Sequence, residues 1–74
     1  MPVDKKQALK TLGKRIRELR EEKDISSAEM SRLLDMERSN YSRIETGKQN
    51  PTYTTLLKIC DVLGIDLSTM FKSN

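Results

Sequence analysis

A short segment in the second half of the chain, residues 36–48, limits the fold more than any other feature. Three apolar residues recur in it at helical spacing, which predicts one buried face with a polar face opposite. Gly47 is the residue type that ends a helix in the left-handed conformation, and Pro51 prevents the helix from resuming. The buried face is predicted to hold Met36, Tyr41 and Ile44, and the outward face Arg38, Ser39, Ser42 and Arg43.

Four further helices are predicted by apolar periodicity and by capping residues. Asp4 with Gln7, and Ser26 with Glu29, fit a capping box, in which the two side chains satisfy each other's backbone amides. The first helix should run to about Lys23, the second should begin at Ser26, the fourth follows Thr52 and ends at Gly64, and the last follows Asp66. The expected fold class is therefore all-α, with five helices in a compact single domain over residues 1–74.

The predicted core lies along the apolar stripes of these helices. Gly13 interrupts the stripe of the first helix at a cost of about 1 kcal/mol relative to alanine, which suggests that another backbone passes close by. The predicted inward residues are Leu9, Leu12, Ile16 and Leu19 in the first helix, Met30, Leu33 and Leu34 in the second, and Leu56, Ile59, Cys60 and Leu63 in the fourth.

Composition argues against several classes of function. The chain has no histidine and only one cysteine, so a zinc site lacks ligands and no disulfide can form within one chain. No apolar run approaches the roughly 18 residues that span a bilayer, and the first residues lack the apolar region of a signal peptide, so we expect a cytoplasmic protein. A nucleophile with a base, a phosphate loop and paired acids are all missing, so we expect no enzyme, no cofactor and no small-molecule ligand.

Charge is distributed unevenly, although the net charge of +3 is modest. The acids near the end of the first helix are Glu18, Glu21, Glu22 and Asp24. Between residues 38 and 58 the only acid is Glu45, and the basic residues there are Arg38, Arg43, Lys48 and Lys58. The outward-facing segment is therefore the locally positive part of the chain.

Two short helices joined by a tight turn, the second with an exposed arginine-rich face, form a helix-turn-helix, whose second helix can enter the DNA major groove. Residues 12–71 resemble the phage-repressor and Cro-type (XRE-like) family of five-helix DNA-binding domains, with the helix-turn-helix at about residues 26–47. The resemblance is carried chiefly by Ile25-Ser26, Glu29-Met30 and Leu34, then Ile44-Glu45, Gly47-Lys48, Asn50-Pro51 and Leu63-Gly64.

The resemblance implies roles for particular residues. An arginine of helix one and the glutamate before the closing glycine, here Arg20 and Glu45, would form a buried structural ion pair. The implied base-reading residues are Arg38, Ser39, Asn40, Ser42 and Arg43. The implied phosphate-binding residues are Ser27, Thr46, Lys48, Gln49 and Asn50, the last three through side chains and loop amides. The alternative for both sets is an ordinary solvated helix face and polar turn.

Four positions depart from the family's pattern. Ser27 stands where the family often has a longer glutamine, and Asp35 replaces the usual turn glycine. Glu37 occupies the position where Ser, Thr or Asp usually caps the third helix, and it is a poorer cap. Tyr41 replaces a smaller aliphatic residue, so its hydroxyl must find water, a backbone group or a phosphate.

The resulting functional prediction is a sequence-specific transcriptional regulator that binds double-stranded DNA at a palindromic operator as a homodimer. Chains of this length resemble restriction-modification controller proteins and small phage Cro-like repressors. Leu67, Met70 and Phe71 in the last helix either complete the core or form the dimer interface, and the interface is favoured. The alternative is a protein-binding module, such as an antitoxin or anti-repressor, that acts through this last helix.

Overall fold

A computed structural model describes residues 3–71, and within that range it contains five α-helices and no strand. The helices are α1 (Lys5–Glu22), α2 (Ser27–Leu33), α3 (Arg38–Glu45), α4 (Tyr53–Leu63) and α5 (Leu67–Met70). The predicted all-α, five-helix fold class is confirmed. None of these helices is both long enough and apolar enough to cross a membrane.

Side-chain caps start most of the helices, as predicted, but the capping boxes are only half formed. The Asp4 carboxylate accepts from the Gln7 N–H at 3.2 Å, and the Ser26 hydroxyl accepts from the Glu29 N–H at 3.0 Å. The reciprocal bonds are replaced: Gln7 donates to a threonine one turn on, and Glu29 pairs with Arg32 at 3.6 Å. Each helix start therefore depends on a single side-chain acceptor.

One apolar core lies between the helices and includes most of the predicted inward residues. Leu33 is an exception, because 46% of its surface is exposed. At 100° per residue, the buried stripe of α2 is centred on Met30, Ser31 and Leu34, and Leu33 lies beyond its edge. The side chains with less than 2% exposure are Ile16, Met30, Tyr41, Ile44, Ile59, Leu63 and Met70.

Gly13 fixes how α3 meets α1. A Cβ atom built on Gly13 would lie 2.4 Å from the carbonyl oxygen of Glu45 and 2.5 Å from that of Ile44, so only glycine permits this approach. The prediction that another backbone passes Gly13 is confirmed. The carboxyl end of α3 therefore rests directly on the backbone of α1.

The α2–α3 turn is as tight as predicted. Asp35 has a φ of 56°, in the left-handed region that aspartate tolerates better than most residues. The Met36 N–H donates to the carbonyl oxygen of Ser31 at 2.9 Å, which closes the turn back onto α2. The two helices of the helix-turn-helix are thus joined through only a few residues.

Candidate nucleic-acid interface

The outward face of α3 is a row of polar side chains, referred to below as the exposed row. Arg38, Ser39, Ser42 and Arg43 are exposed, whereas Tyr41 and Ile44 are buried on the opposite face. Asn40 lies between the two faces and is half-buried. The separation of faces predicted from the sequence is therefore present, and it leaves two guanidinium groups on one side of a short helix.

Two members of the predicted base-reading set contact each other in the free protein. Arg43 donates from Nη1 to Oδ1 of Asn40 at 3.1 Å. This bond leaves Nε and Nη2 of Arg43 available as a planar pair of donors. It uses one of the two lone pairs of the Asn40 oxygen, the atom that would accept from adenine in a bidentate contact. The geometry thus favours Asn40 as a support for Arg43.

The charged side chains of Arg20 and Glu45 lie together behind α3, as the resemblance implied. Arg20 Nε is 2.7 Å from Glu45 Oε2, and Nη2 is 3.2 Å from Oε1, so the contact is bidentate. The third nitrogen of Arg20 donates to the carbonyl oxygen of Ile25 at 2.7 Å. Both residues are buried, and the pair ties α1, the start of the α2 segment and the end of α3 together.

The Tyr41 hydroxyl completes this cluster, and its partner was not predicted. It donates to Oε2 of Glu45, one helical turn farther along α3. Burial favours a higher pKa for Glu45, but bonds from Arg20 and Tyr41 outweigh it, and the pKa of Glu45 falls below its ordinary value. Burial, reinforced by Glu45, raises the pKa of Tyr41 well above its ordinary value. The four-residue spacing of Tyr41 and Glu45 was the available signal.

The amino end of α3 lacks a side-chain cap. Glu37 occupies the cap position in an extended conformation, with φ of −66° and ψ of 143°, but its carboxylate accepts no hydrogen bond from the first turn. The prediction that Glu37 is a poor cap agrees with this geometry. The free amides of α3 therefore open toward solvent beside Arg38 and Ser39.

The segment after α3 carries the remaining predicted phosphate ligands, and part of that prediction is wrong. The N–H groups of Lys48 and Gln49 both donate to the carbonyl oxygen of Arg43, at 2.8 and 3.2 Å, so these amides are occupied. The hydroxyl of Thr46 donates to the Ser42 carbonyl oxygen at 3.0 Å, which closes the helix. What these residues offer outward is therefore mainly their side chains, with Lys48 and Asn50 exposed and Gln49 half-buried.

Ser27, predicted to contact phosphate at the start of α2, is the first residue of that helix and is half-buried. Its carbonyl oxygen accepts from the Ser31 hydroxyl at 2.9 Å. Its own N–H is one of the first-turn amides that have no partner within the helix. Ser27 thus offers a backbone donor and a short side chain.

The last helix divides the three residues predicted for a dimer interface. Met70 has 1% exposure and belongs to the core, so placing it on an outer patch was wrong. Arg15 donates to the carbonyl oxygens of Met70 and Thr69, each at 3.3 Å, and holds the end of α5 against α1. Phe71 remains 60% exposed, and Leu67 is half-buried.

Among residues 3–71, no group of three histidine, cysteine or acidic side chains is placed so that it could hold a metal ion. The thiol of Cys60 is buried, and burial raises its pKa. It therefore behaves as a small core residue rather than as a reactive group. What the surface does offer is hydrogen-bond donors and positive charge along α3 and the segment that follows it.

Comparisons with known proteins give consistent results. Residues 16–70 match the helix-turn-helix family. The control protein C.MunI from Mycoplasma sp is 42% identical over 60 residues, which cover 80% of this chain and 81% of that protein. The ImmF control region 10 kDa protein of Bacillus phage phi105 is 36% identical over 61 residues, covering 82% of this chain and 68% of that protein.

Among solved structures, the crystal structure of the restriction-modification controller protein C.AhdI from Aeromonas hydrophila is similar in fold. The two chains superpose with a TM-score of 0.84 at 31% sequence identity. The match covers 88% of this chain and 98% of that one, so the similarity extends over nearly all of the described helices.

Proposed function

Since the chain belongs to the helix-turn-helix family of DNA-binding transcriptional regulators, we propose that it acts as a homodimer on a palindromic operator. The resemblance to this family is confirmed by these relatives. The family binds double-stranded DNA and is not enzymatic, which agrees with the prediction that the chain is not an enzyme. Operator symmetry, the roles of individual residues and the dimer are the parts that we propose.

The observation that carries the proposal is that the exposed row lies on a helix whose opposite face is packed firmly against α1. The Arg20–Glu45 pair and the Gly13 contact hold α3 in one orientation relative to α1. A rigid support matters because base recognition needs a guanidinium held in place before DNA arrives. The exposed row is therefore suited to reading base edges in the major groove.

Within that row we assign the main reading contacts to the two arginines. A guanidinium matches the O6 and N7 acceptors of guanine, and each good bidentate contact is worth about 1–3 kcal/mol of discrimination. Arg43 is held by Asn40 with Nε and Nη2 still free to donate. The proposed base-reading set is completed by Arg38, Ser39, Ser42 and Asn40 itself.

Phosphate contacts would position the protein without reading sequence. We assign them to the side chains of Lys48, Gln49 and Asn50 and to Ser27 at the amino end of α2. Thr46 can join them only if its hydroxyl leaves the carbonyl oxygen of Ser42. Because Lys48 carries the only full charge of this set, we expect it to contribute most to salt dependence.

The dimer is proposed to form through the carboxyl-terminal side of the fold. Phe71 is a large apolar side chain that is 60% exposed, directly after the last helix, and Leu67 lies half-buried on the same helix. A two-fold contact there would pair two reading helices about 34 Å apart, one turn of duplex. A second copy of the chain is the partner whose symmetry matches a palindromic site.

The biological role is proposed to be control of a restriction-modification system. One relative is named a control protein and one solved structure is a restriction-modification controller, and the matches cover most of all three chains. The phage relative supports the broader class of small repressors. Bacterial and phage DNA lies in the cytoplasm, which is where we place the protein.

Selection of bound duplexes from a random DNA pool tests this proposal, with the mass of the bound protein measured in the same buffer. We expect a two-fold symmetric motif occupied by two chains. Phe71→Asp should bind as a monomer to half of the motif, whereas Leu33→Asp, which changes an exposed leucine on α2, should remain dimeric. Failure to enrich any sequence at moderate salt would instead favour the protein-binding module.

A further inference from the structure

A second basic surface adjoins the segment after α3, and the lysines that α1 contributes to it are not used by any contact proposed above. A groove of about 500 Å³ is formed between the first two turns of α1 and residues 46–48. We refer to it as the lysine groove. Its lining residues are Lys5, Lys6, Leu9, Lys10, Thr46, Gly47 and Lys48.

The lysine groove is joined to the rest of the proposed interface by close backbone packing. Gly47 has a φ of 77°, and a Cβ atom built on it would lie 2.8 Å from the Cα and N atoms of Lys10. No side chain fits between the two segments at this point. Lys48 and the lysines of α1 therefore form one continuous positive surface, with fixed relative positions.

No acid lines this groove, and the three ion pairs found among residues 3–71 involve no lysine. The neighbouring carboxylate of Asp4 caps α1 by accepting from the Gln7 N–H. Like charges around one groove repel one another, and an anionic partner relieves that repulsion. By contrast, the other end of α1 has Glu18, Glu21 and Glu22 around Arg15.

We propose that Lys5, Lys6 and Lys10 extend the DNA contact beyond the helix-turn-helix by binding phosphates next to those held by Lys48. The partner is a polyanion because several lysines line one open groove, and the one hydroxyl among the lining side chains, that of Thr46, already donates to the carbonyl oxygen of Ser42. The inference depends on the proposed function, since it assumes that Lys48 faces a DNA backbone. The lysine groove would raise affinity on any sequence and add no base preference.

The salt dependence of binding tests the inference. The variant Lys6→Gln/Lys10→Gln is compared with Lys23→Gln/Lys58→Gln, which removes the same charge from exposed positions outside the groove. Affinities are measured from 50 to 200 mM salt on the duplex selected by the wild-type protein and on a scrambled duplex. Each phosphate contact contributes about 0.9 to the slope of log affinity against log salt concentration. We expect the groove variant to lose about 2 units of slope on both duplexes and to keep the wild-type ratio between them.

The outcomes separate this inference from the proposed function. If the wild-type protein binds its selected duplex and both double variants show the same slope, the lysines act only through net charge and the inference is wrong. A change in the ratio between the two duplexes would also overturn it, because the groove would then affect base reading. If the wild-type protein shows no preference for any duplex, the proposed function itself has failed. Urea unfolding of both variants verifies that each is folded.

Discussion

The two faces of α3 are under opposite physical conditions. On the inner face, Tyr41, Ile44 and Glu45 are all buried, and every buried polar side-chain atom among residues 3–71 has a hydrogen-bond partner. On the outer face, the side chains of the exposed row make a single side-chain hydrogen bond, from Arg43 to Asn40. The polar groups of the inner face thus have hydrogen-bond partners within the protein, whereas most donors of the outer face have none there.

This difference separates the contacts that stabilise α3 from the side chains that α3 exposes. A helix as short as α3, with eight residues, is unstable alone in water, so tertiary contacts must supply its stability. Those contacts are concentrated on one side, at Gly13 and in the cluster of Arg20, Tyr41 and Glu45. The outer side chains can therefore be substituted to suit a different DNA sequence at little cost to the free energy of folding. Substitutions on the two faces should separate in the same way.

Arg20→Met is expected to have the largest effect, because it leaves the Glu45 carboxylate buried without its main partner. Removing one member of a buried ion pair costs about 3–5 kcal/mol. A chain of 74 residues has a net stability of only about 3–5 kcal/mol, so we expect the variant to be largely unfolded. Circular dichroism and urea unfolding measure this directly.

Arg17→Met is the matched control for that substitution. Arg17 lies 3.5 Å from the same carboxylate, but its side chain is 53% exposed and its charge is screened by water. We expect its loss to cost less than about 1 kcal/mol. If Arg17→Met and Arg20→Met destabilise the chain equally, burial of the pair is not what makes the inner face stabilising.

Because of the cluster of Arg20, Tyr41 and Glu45, we expect the folded chain to lose stability in acid. The pKa of Glu45 is lower in the folded chain than in the unfolded chain, where it is about 4.3. Its contribution is therefore fully present above that unfolded value and is lost as the pH falls through the folded value. Urea unfolding from pH 7 to pH 3, in an osmolyte that keeps weak variants folded, should show Glu45→Gln approaching the wild-type stability on acidification. Glu29→Gln, which neutralises an acid on the surface, is the control for the general effect of losing one negative charge.

Tyr41→Phe removes one hydroxyl from the inner face and leaves the ring in place. Hydrogen bonds to charged groups contribute about 1.5–3 kcal/mol, and we expect a loss of stability in that range. Tyr53→Phe, which removes an exposed hydroxyl from the start of α4, is the matched control and should be near neutral. A Tyr41→Phe variant as stable as the wild-type protein would show that Arg20 alone satisfies Glu45.

Much of the inner face could be predicted from the sequence, and the Tyr41 hydroxyl shows where prediction stopped. Helical spacing indicated that Tyr41 points inward, because periodicity reports the direction of a Cβ atom. It does not report where the end of a long side chain lies, so the bond to Glu45 was left open. The Arg20–Glu45 pair was expected only from the family resemblance, since residues 25 apart in sequence carry no spacing signal.

The last helix and the segment after α3 were harder to predict, because their contacts also depend on residues that are distant in sequence. Met70 and Phe71 are adjacent apolar residues, and only the packing of α5 against α4 and its hydrogen bonds from Arg15 of α1 decide that Met70 is buried and Phe71 exposed. The amides of Lys48 and Gln49 were expected to be free, but the fold turns both toward the Arg43 carbonyl oxygen. Helix positions follow from local pattern, whereas the partners of polar groups depend on tertiary geometry.

Arg43→Ala tests the outer face. We expect it to weaken binding to the selected operator by about 1–3 kcal/mol and to relax one base position. Stability should change little, because the guanidinium is exposed and bonds only to Asn40. Lys48→Ala should instead weaken all duplexes alike and reduce the salt slope by about 1. Equal losses on operator and scrambled DNA for Arg43→Ala would contradict base reading.

Glu37, which is exposed at the amino end of α3, is the position where we expect the smallest effect. Its carboxylate accepts no bond from the first turn, so Glu37→Asp should supply the missing cap and gain about 0.5–1 kcal/mol of stability. Glu37→Ser should gain less, because serine supplies the cap but loses a charge that interacts favourably with the helix dipole. Serine also removes a negative charge next to Arg38 and the proposed DNA contacts of α3 and should strengthen binding to any duplex, whereas aspartate should not. If Glu37→Asp does not increase the stability, water already satisfies the amides at the amino end of α3, and the missing cap has no bearing on how firmly α3 is held.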